Sequence, residues 1–150
     1  MARHLRSPFG RVTVEIRAAT TADVDAVLAL WKRAAGPTAL VGDPTSVRRL
    51  LQFDGGALLL AVDGTDVVGS IVAGWDGWRG NLYRVAVAPE RRHEGIGRRL
   101  VANAEDFLAS RGCPRVTAIV HLERAEAAPF WVKVGYEHDT EVGRFVRFLR

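Results

Sequence analysis

The chain has little cysteine, little lysine and no long apolar run. Among its 150 residues Cys113 is the single cysteine, so an intrachain disulfide framework is excluded. The longest purely apolar run, residues 57–62, is far shorter than the roughly 20 residues that span a bilayer. Residues 1–11 are basic but lack the apolar core of a signal peptide. We therefore expect a cytoplasmic protein without a membrane partner, and interpret residues 1–11 as a flexible basic arm.

Basic residues outnumber acidic residues by 21 to 17, but only two of them are lysines, and the arginines are scattered along the chain. A net charge of +4 therefore says only that the chain is able to attract an anionic partner. A nucleic-acid-binding domain would carry aromatic residues among its basic segments or a recognised reader motif, and neither is present. We expect no nucleic-acid partner, and a single domain over residues 12–150.

The hydrophobic pattern predicts a mixed α/β (α+β) fold. Apolar residues recur at helical spacing behind Thr20, before Phe53, after Pro89 and around residues 127–134, which predicts about four helices. Alternating or β-branched runs predict a sheet of six to seven mostly antiparallel strands, at residues 12–17, 57–63, 67–75, 81–88, 116–121, 136–140 and 144–149.

Two Asp-Gly pairs order the middle of the chain. Asp63-Gly64 and Asp76-Gly77 stand between predicted strands, and Asp-Gly suits tight hairpins because glycine accepts a positive φ. A meander of three antiparallel strands is therefore expected. The strand, long helix and strand across residues 81–121 then form a βαβ unit, whose two strands should be parallel neighbours.

Two glycines stand where the fourth predicted strand gives way to the long helix. Gly95 and Gly97 lack a Cβ, so a ligand is able to approach the backbone at the helix N-terminus, where unpaired N–H groups favour an anion. Positive charge is added around the turn by Arg91, Arg92, Arg98 and Arg99. A dinucleotide fingerprint is excluded, because Leu100 stands where the third glycine is required. The turn therefore suits a phosphate or pyrophosphate, unless the glycines merely ease a tight connection.

The segment Arg92–Gly97 resembles the Arg/Gln-x-x-Gly-x-Gly/Ala signature of the GNAT N-acetyltransferases. The preceding residues 85–90 are similar to the strand that leads into that signature. Farther on, Ala127, Phe130-Trp131 and Gly135-Tyr136 resemble the second block of the same superfamily, and the order of predicted elements matches it from Val12 onward. Residues 76–80, Asp-Gly-Trp-Arg-Gly, are similar to a hairpin found in a small bacterial subgroup.

This resemblance implies acetyl-CoA as the cofactor, with pantetheine along the fourth strand, the pyrophosphate at the glycine loop and a backbone N–H near Val87 that polarises the acetyl carbonyl. The reaction implied is direct attack on the thioester by a primary amine of a small molecule or a protein. Because dimers are common in the family, a homodimer is a further expectation. The cofactor-binding residues implied are Val85, Ala86, Val87, Arg92, His93, Glu94, Gly95, Ile96, Gly97, Arg98, Arg124 and Trp131.

The usual acid–base residues of the family are replaced in this sequence. Trp131 stands where a tyrosine often serves as general acid, and an indole N–H does not supply a proton. Ile119 stands where some relatives have a glutamate base, and Arg124 replaces an asparagine. The catalytic candidates are instead Tyr83 as an acid and His121 or Glu123 as a base. Their structural alternatives are a packed strand aromatic, an exposed histidine and a solvated loop charge.

The hairpin around Asp76 supplies the candidate acceptor site, made of Trp75, Asp76 and Arg79. Asp76 would attract a cationic amine and Arg79 a carboxylate, whereas a plain Asp-Gly turn explains them without function. No metal site is expected, because the histidines show no ligand spacing and Cys113 stands alone. Two functions follow: an acetyl-CoA-dependent N-acetyltransferase, or an acyl-CoA sensor with little transfer, which the residues at positions 119 and 131 suggest.

Overall fold

The computed structural model describes residues 13–35 and 42–149. The expected arm at residues 1–11 lies outside these ranges. The chain forms two compact units, the first ending at Ile119 and the second beginning at Val120. The single domain expected over residues 12–150 stays a prediction.

The first unit contains a five-stranded sheet in which spatial order follows sequence order. The first four strands pair antiparallel and the fourth and fifth pair in parallel, which confirms the meander and the βαβ unit. The strands are β1 (Glu15–Ala18), β2 (Leu58–Asp63), β3 (Asp66–Trp75), β4 (Gly80–Val87) and β5 (Val116–Ala118).

Both Asp-Gly turns form where the sequence predicts them. Gly64 has φ 62° and Gly77 has φ 90°, in the left-handed region that glycine adopts without a Cβ penalty. In the second turn Oδ1 of Asp76 accepts hydrogen bonds from the backbone N–H groups of Trp78 and Arg79, at 2.8 and 2.7 Å. The Asp76 side chain thereby closes the β3–β4 connection.

The helices are α1 (Val24–Ala35), preceded by a 3-10 turn over Thr21–Asp23, α2 (Pro44–Phe53), α3 (Ile96–Ser110) and α4 (Ala127–Lys133). Carboxylates cap the 3-10 turn before α1 and the start of α2: Oδ2 of Asp23 accepts from the Thr20 N–H, and Oδ1 of Asp43 accepts from the Ser46 N–H, both at 2.8 Å. Pro129 lies in the first turn of α4, where a missing N–H costs no helical hydrogen bond. Within the described ranges no helix is long and apolar enough to cross a membrane.

The helices of the first unit cover both faces of the sheet. Helix α1 packs on β3, β4 and α2, whereas α3 packs on β2, β3 and β4. A Cβ at Gly69 would stand 2.9 Å from Ile96 and from Leu100, so Gly69 faces α3. The next residue, Ser70, binds Trp31 of α1 and faces the opposite side. The buried core therefore lies in two layers, one on each face.

Within the described residues, the last two predicted strands are absent and the strand before them is shorter than expected. Residues 136–140 and 144–149 form no strands, and β5 ends at Ala118 rather than at His121. Among the described residues the sheet therefore has five strands, fewer than the six to seven expected, and the mixed α/β class is confirmed. Side chains that a closing strand would bury are exposed, with Phe145 98% and Phe148 84% exposed. Alternation favours an extended chain, but a strand also needs a partner edge, which this pattern does not specify.

Candidate functional site

The glycine loop forms a sharp turn that leaves backbone amides uncapped. His93 and Gly95 have φ 65° and 80°, and Gly95 precedes the first residue of α3. The first backbone hydrogen bond of the helix runs from the Arg99 N–H to the Gly95 carbonyl at 3.1 Å. In the described part of the chain no side chain caps this helix. Its first-turn amides therefore face outward, as an anion requires.

The arginines around this loop do not act as one cationic cluster. Arg91 binds two carboxylates, with Nη1 2.7 Å from Oδ2 of Asp63 and Nε 2.9 Å from Oε2 of Glu94. Arg92 donates to the Ala34 carbonyl at 3.3 Å, and Arg99 donates to the Val14 carbonyl at 2.8 Å. Of the four arginines expected to add positive charge around the turn, Arg91 is therefore paired with two carboxylates, Asp63 at the end of β2 and Glu94 in the loop.

Strands β4 and β5 separate just before this loop. They pair over Gly80–Leu82, and the Ile119 N–H donates to the Leu82 carbonyl at 3.1 Å. Beyond Leu82, β4 pairs with β3 and not with β5. The Ala88 N–H points to β3, because it donates to the Val68 carbonyl at 2.8 Å. In an extended strand the N–H of Val87 therefore points to the opposite side, which we call the β4 edge (residues 83–87).

A bulge interrupts β4 within this edge. Val72 pairs with Tyr83 and Ser70 pairs with Ala86, so two residues of β4 stand opposite Ile71 of β3. One of them, Arg84, has φ 55°, which is uncommon for a residue with a Cβ. Tyr83 and Ala86 consequently share a face although they are three positions apart, which a regular strand would not allow.

A cleft of about 220 Å³ opens beside β3 and β4. It brings together Tyr83 and the three predicted acceptor residues, which lie apart in the sequence. The cleft is lined by Leu50, Phe53, Asp54, Gly74, Trp75, Asp76, Arg79, Asn81 and Tyr83. Burial raises the pKa of the Tyr83 phenol above its ordinary value of 10.0, so Tyr83 stays protonated at neutral pH.

The charged groups of the cleft have internal partners. Oδ2 of Asp54 lies 2.9 Å from Nη1 of Arg111. Asp76 accepts the two turn hydrogen bonds, and its pKa is lowered by the N–H groups of Arg79 and Trp78. The guanidinium of Arg79 lies 4.4 Å from the ring centroid of the exposed Trp78. Asp76 therefore has a structural role in the turn whether or not it also meets an acceptor.

The other predicted site residues belong to the second unit. Nδ1 of His121 lies 3.6 Å from Oε1 of Glu123, and both side chains are well exposed, at 66% and 78%. The Arg124 N–H donates to the His121 carbonyl at 3.2 Å. Trp131 is buried and makes edge-on ring contacts with Phe130 and Tyr136. Their catalytic or cofactor roles stay predictions.

Sequence reasoning missed several residues of the site. Asn81 lies two positions before Tyr83 on one strand, so alternation alone would have placed it in the same cleft. Leu50 and Phe53 come from α2, and no local pattern singles out these two residues of that helix. Among the described residues, no group of three or more His, Cys, Asp or Glu side chains is placed to hold a metal ion.

Comparison with known proteins agrees with this architecture. Residues 19–136 match the model of the acetyltransferase (GNAT) family. The chain is 35% identical over 124 residues to an acetyltransferase of Photorhabdus laumondii, which covers 83% of this chain and 87% of that protein. It is 32% identical over 124 residues to an acetyltransferase of Pectobacterium atrosepticum, with 83% and 88% covered.

Among solved structures, Ard1 from Thermoplasma volcanium superposes with a TM-score of 0.74 at 19% identity, over 83% of this chain and 82% of that one. At this identity the likeness concerns the fold alone. The family match over residues 19–136 and these relatives show that the chain belongs to the GNAT acetyltransferase family.

Proposed function

We propose that this protein transfers an acetyl group from acetyl-CoA to a primary amine of a small molecule or a protein. The observation that carries this proposal is the continuity of three features in the first unit. The β4 edge begins where β5 separates at Leu82, runs past the bulge, and leads directly to the uncapped amides of α3. The cleft with Tyr83 lies at the start of the same edge.

The residues present fit the proposed cofactor. The amides of Ile96, Gly97 and Arg98 would hold a pyrophosphate, since helix N-termini favour anions. The Val87 N–H would bind an extended chain laid along the β4 edge, as a sheet edge does with an added strand. When bound, acetyl-CoA supplies an activated thioester carbonyl whose leaving thiol has an ordinary pKa of about 8.5.

The residues of this chain would then divide the work of transfer. A different backbone N–H near Val87 would stabilise a developing oxyanion, and one such donor contributes roughly 10²–10³ in rate. Tyr83 is protonated at neutral pH and suits a general acid rather than a base. The cleft would hold the acceptor between α2 and the β3–β4 turn. His121 and Glu123 stay hypotheses for the base.

Thermal denaturation with acetyl-CoA tests the donor assignment. At about 100 times its Kd, a ligand adds about 2.7 kcal/mol of stability, which raises the Tm of a domain of this size by several degrees. Gly95→Val, which places a β-branched residue at φ 80°, should remove this shift, whereas Gly55→Ala, an exposed site away from the loop, should keep it. An unchanged Tm of the wild-type protein would contradict the proposal.

Release of free thiol with a panel of amines separates an enzyme from a sensor. The sensor is a second candidate because Trp131 stands where the family resemblance implies a tyrosine acid, and its indole N–H does not supply a proton. Thiol release above the rate of hydrolysis with any amine class supports transfer. A ligand-induced Tm shift without amine-dependent release would support the sensor instead.

A further inference from the structure

A buried hydrogen-bond chain joins helix α1 to the bulge of β4. Nε1 of Trp31 donates to Oγ of Ser70 at 2.8 Å, and Oγ of Ser70 donates to the Arg84 carbonyl at 3.2 Å. Ser70 has no exposed surface and is the one fully buried polar side chain among the described core residues. A buried hydroxyl at the centre of a sheet is costly unless its hydrogen bonds are made, so the presence of Ser70 at this position needs an explanation.

The donor–acceptor direction of these hydrogen bonds is fixed by Trp31. An indole N–H only donates, so Oγ of Ser70 must accept from Trp31, and its own proton is left for the Arg84 carbonyl. The guanidinium of Arg84 lies 4.8 Å from the ring centroid of the same indole. Trp31 is therefore linked to the bulge in two ways. Its indole N–H is joined to the Arg84 carbonyl through Ser70, and its ring face contacts the Arg84 guanidinium.

The bulge needs this support because its backbone is unfavourable in isolation. Arg84 has φ 55°, and the extra residue opposite Ile71 interrupts the β3–β4 ladder, so its carbonyl needs a side-chain partner. Without the bulge, the pairing of Tyr83 with Val72 or that of Ala86 with Ser70 would shift by one residue. Such a shift turns every following side chain to the other face and every following N–H to the other edge.

We propose that Ser70, held by Trp31, is a positioning residue that fixes the bulge at Arg84 and so directs the Val87 N–H to the β4 edge. This role rests on the proposed function, because the β4 edge is assigned there to the cofactor. Ser70 acts through the backbone of Arg84 and touches no reacting atom. The same bulge sets Tyr83 toward the cleft. One buried hydroxyl would therefore align both the β4 edge and the Tyr83 phenol that is proposed as the general acid.

Titration calorimetry with coenzyme A itself tests this role without requiring turnover. Ser70→Ala removes the hydroxyl at nearly constant shape and should raise the Kd by about tenfold, the effect of losing about 1.4 kcal/mol. Ser70→Cys keeps a weak donor and should recover part of this loss. Trp31→Phe keeps an aromatic face for Arg84 and should add little further loss in combination with Ser70→Ala, because both changes break one chain.

Val101→Ala in α3, on the other face of the sheet, is the control for stability loss alone. It should lower the Tm about as much as Ser70→Ala and leave the Kd unchanged. An unchanged Kd in Ser70→Ala, or an equal rise in Val101→Ala, would overturn the positioning role.

Amide hydrogen exchange keeps the two hypotheses apart. Measured without any ligand, the increase in exchange rate of Ser70→Ala over the wild-type protein should be larger for residues 85–88 than for β2. If the wild-type protein does not bind coenzyme A, the proposed function fails. Faster exchange at the bulge would then still support the contact with Ser70, and uniform exchange across the sheet would overturn it.

Discussion

Nη1 of Arg91 lies 2.7 Å from Oδ2 of Asp63, which joins the loop before α3 to the end of β2 across 28 positions of sequence. Both side chains are largely buried, at 16% and 15% exposure. This ion pair fixes the glycine loop against the sheet, and it withdraws Arg91 from the positive charge available to a ligand.

Replacing Arg91 should therefore reduce the stability of the protein more than it reduces ligand binding. Arg91→Gln leaves the Asp63 carboxylate without its partner, and we expect the free energy of unfolding to fall by about 1–2 kcal/mol. Arg98→Gln removes an exposed charge at the first turn of α3 and should change stability by less than about 0.5 kcal/mol. It should instead weaken coenzyme A binding several-fold. Urea unfolding and calorimetry of both variants check this contrast, which equal effects on both quantities would contradict.

The Arg17–Asp23 pair predicts loss of stability in acid. Two hydrogen bonds of 2.8 Å from Arg17 lower the pKa of Asp23 to about 2, from an ordinary value of 3.8. The unfolded state then binds the proton more tightly, so stability is complete above about pH 4 and falls as the pH drops toward 2. Since Arg17 is 39% exposed and solvent screens the pair, we expect a contribution of about 1 kcal/mol.

Asp23→Asn should show this loss at pH 7, and most of its difference from the wild-type protein should be gone by about pH 2, the pKa of Asp23 in the folded state. Urea unfolding at a series of pH values measures both curves. Asp25→Asn, two positions away in the first turn of α1, is the matched control and should follow the wild-type profile. A constant difference between pH 7 and pH 2 would exclude the ion pair as its cause.

The packing around Gly80 explains why a glycine ends the Asp-Gly-Trp-Arg-Gly hairpin. A Cβ at this position would stand 2.5 Å from Sγ of Cys113 and 3.2 Å from Cδ1 of Leu108. We expect Gly80→Ala to lower the free energy of unfolding by about 1–3 kcal/mol through overpacking. Cys113→Ala removes the nearest atom, so the double variant should be more stable than the sum of the single changes predicts. Strict additivity in urea unfolding would show that the two positions do not compete for space.

Tyr83 predicts a pH profile as well as a rate. If its phenol is the general acid, Tyr83→Phe should lower kcat about 10²-fold with little change in KM for the amine. Burial raises the pKa of Tyr83, so its deprotonation should not limit the wild-type rate below about pH 10. Steady-state kinetics across pH, with Phe53→Ala as a variant that changes the exposed rim of the cleft, measure both effects. An unchanged kcat in Tyr83→Phe would assign the phenol to packing.

Much of the fold follows from local pattern. The Asp-Gly pairs placed both hairpins because positive φ at Gly64 and Gly77 is a property of glycine itself. The change from alternating to helical spacing after Pro89 located α3, and the βαβ rule made β4 and β5 parallel neighbours. The final strands failed for the opposite reason, since Phe145 and Phe148 need a pairing edge that no local pattern supplies.

The sequence alone determined the glycine loop and its resemblance to the family, because backbone freedom at a helix start is written in residue types at fixed spacing. The tertiary structure decided what the neighbouring charges and strands do. It paired Arg91 with Asp63, brought Leu50 into one cleft with Tyr83, and joined the bulge at Arg84 to Trp31 through Ser70, 39 positions along the sequence from Trp31. Contacts between distant residues depend on how layers pack, and periodicity within one segment carries no information about its partner.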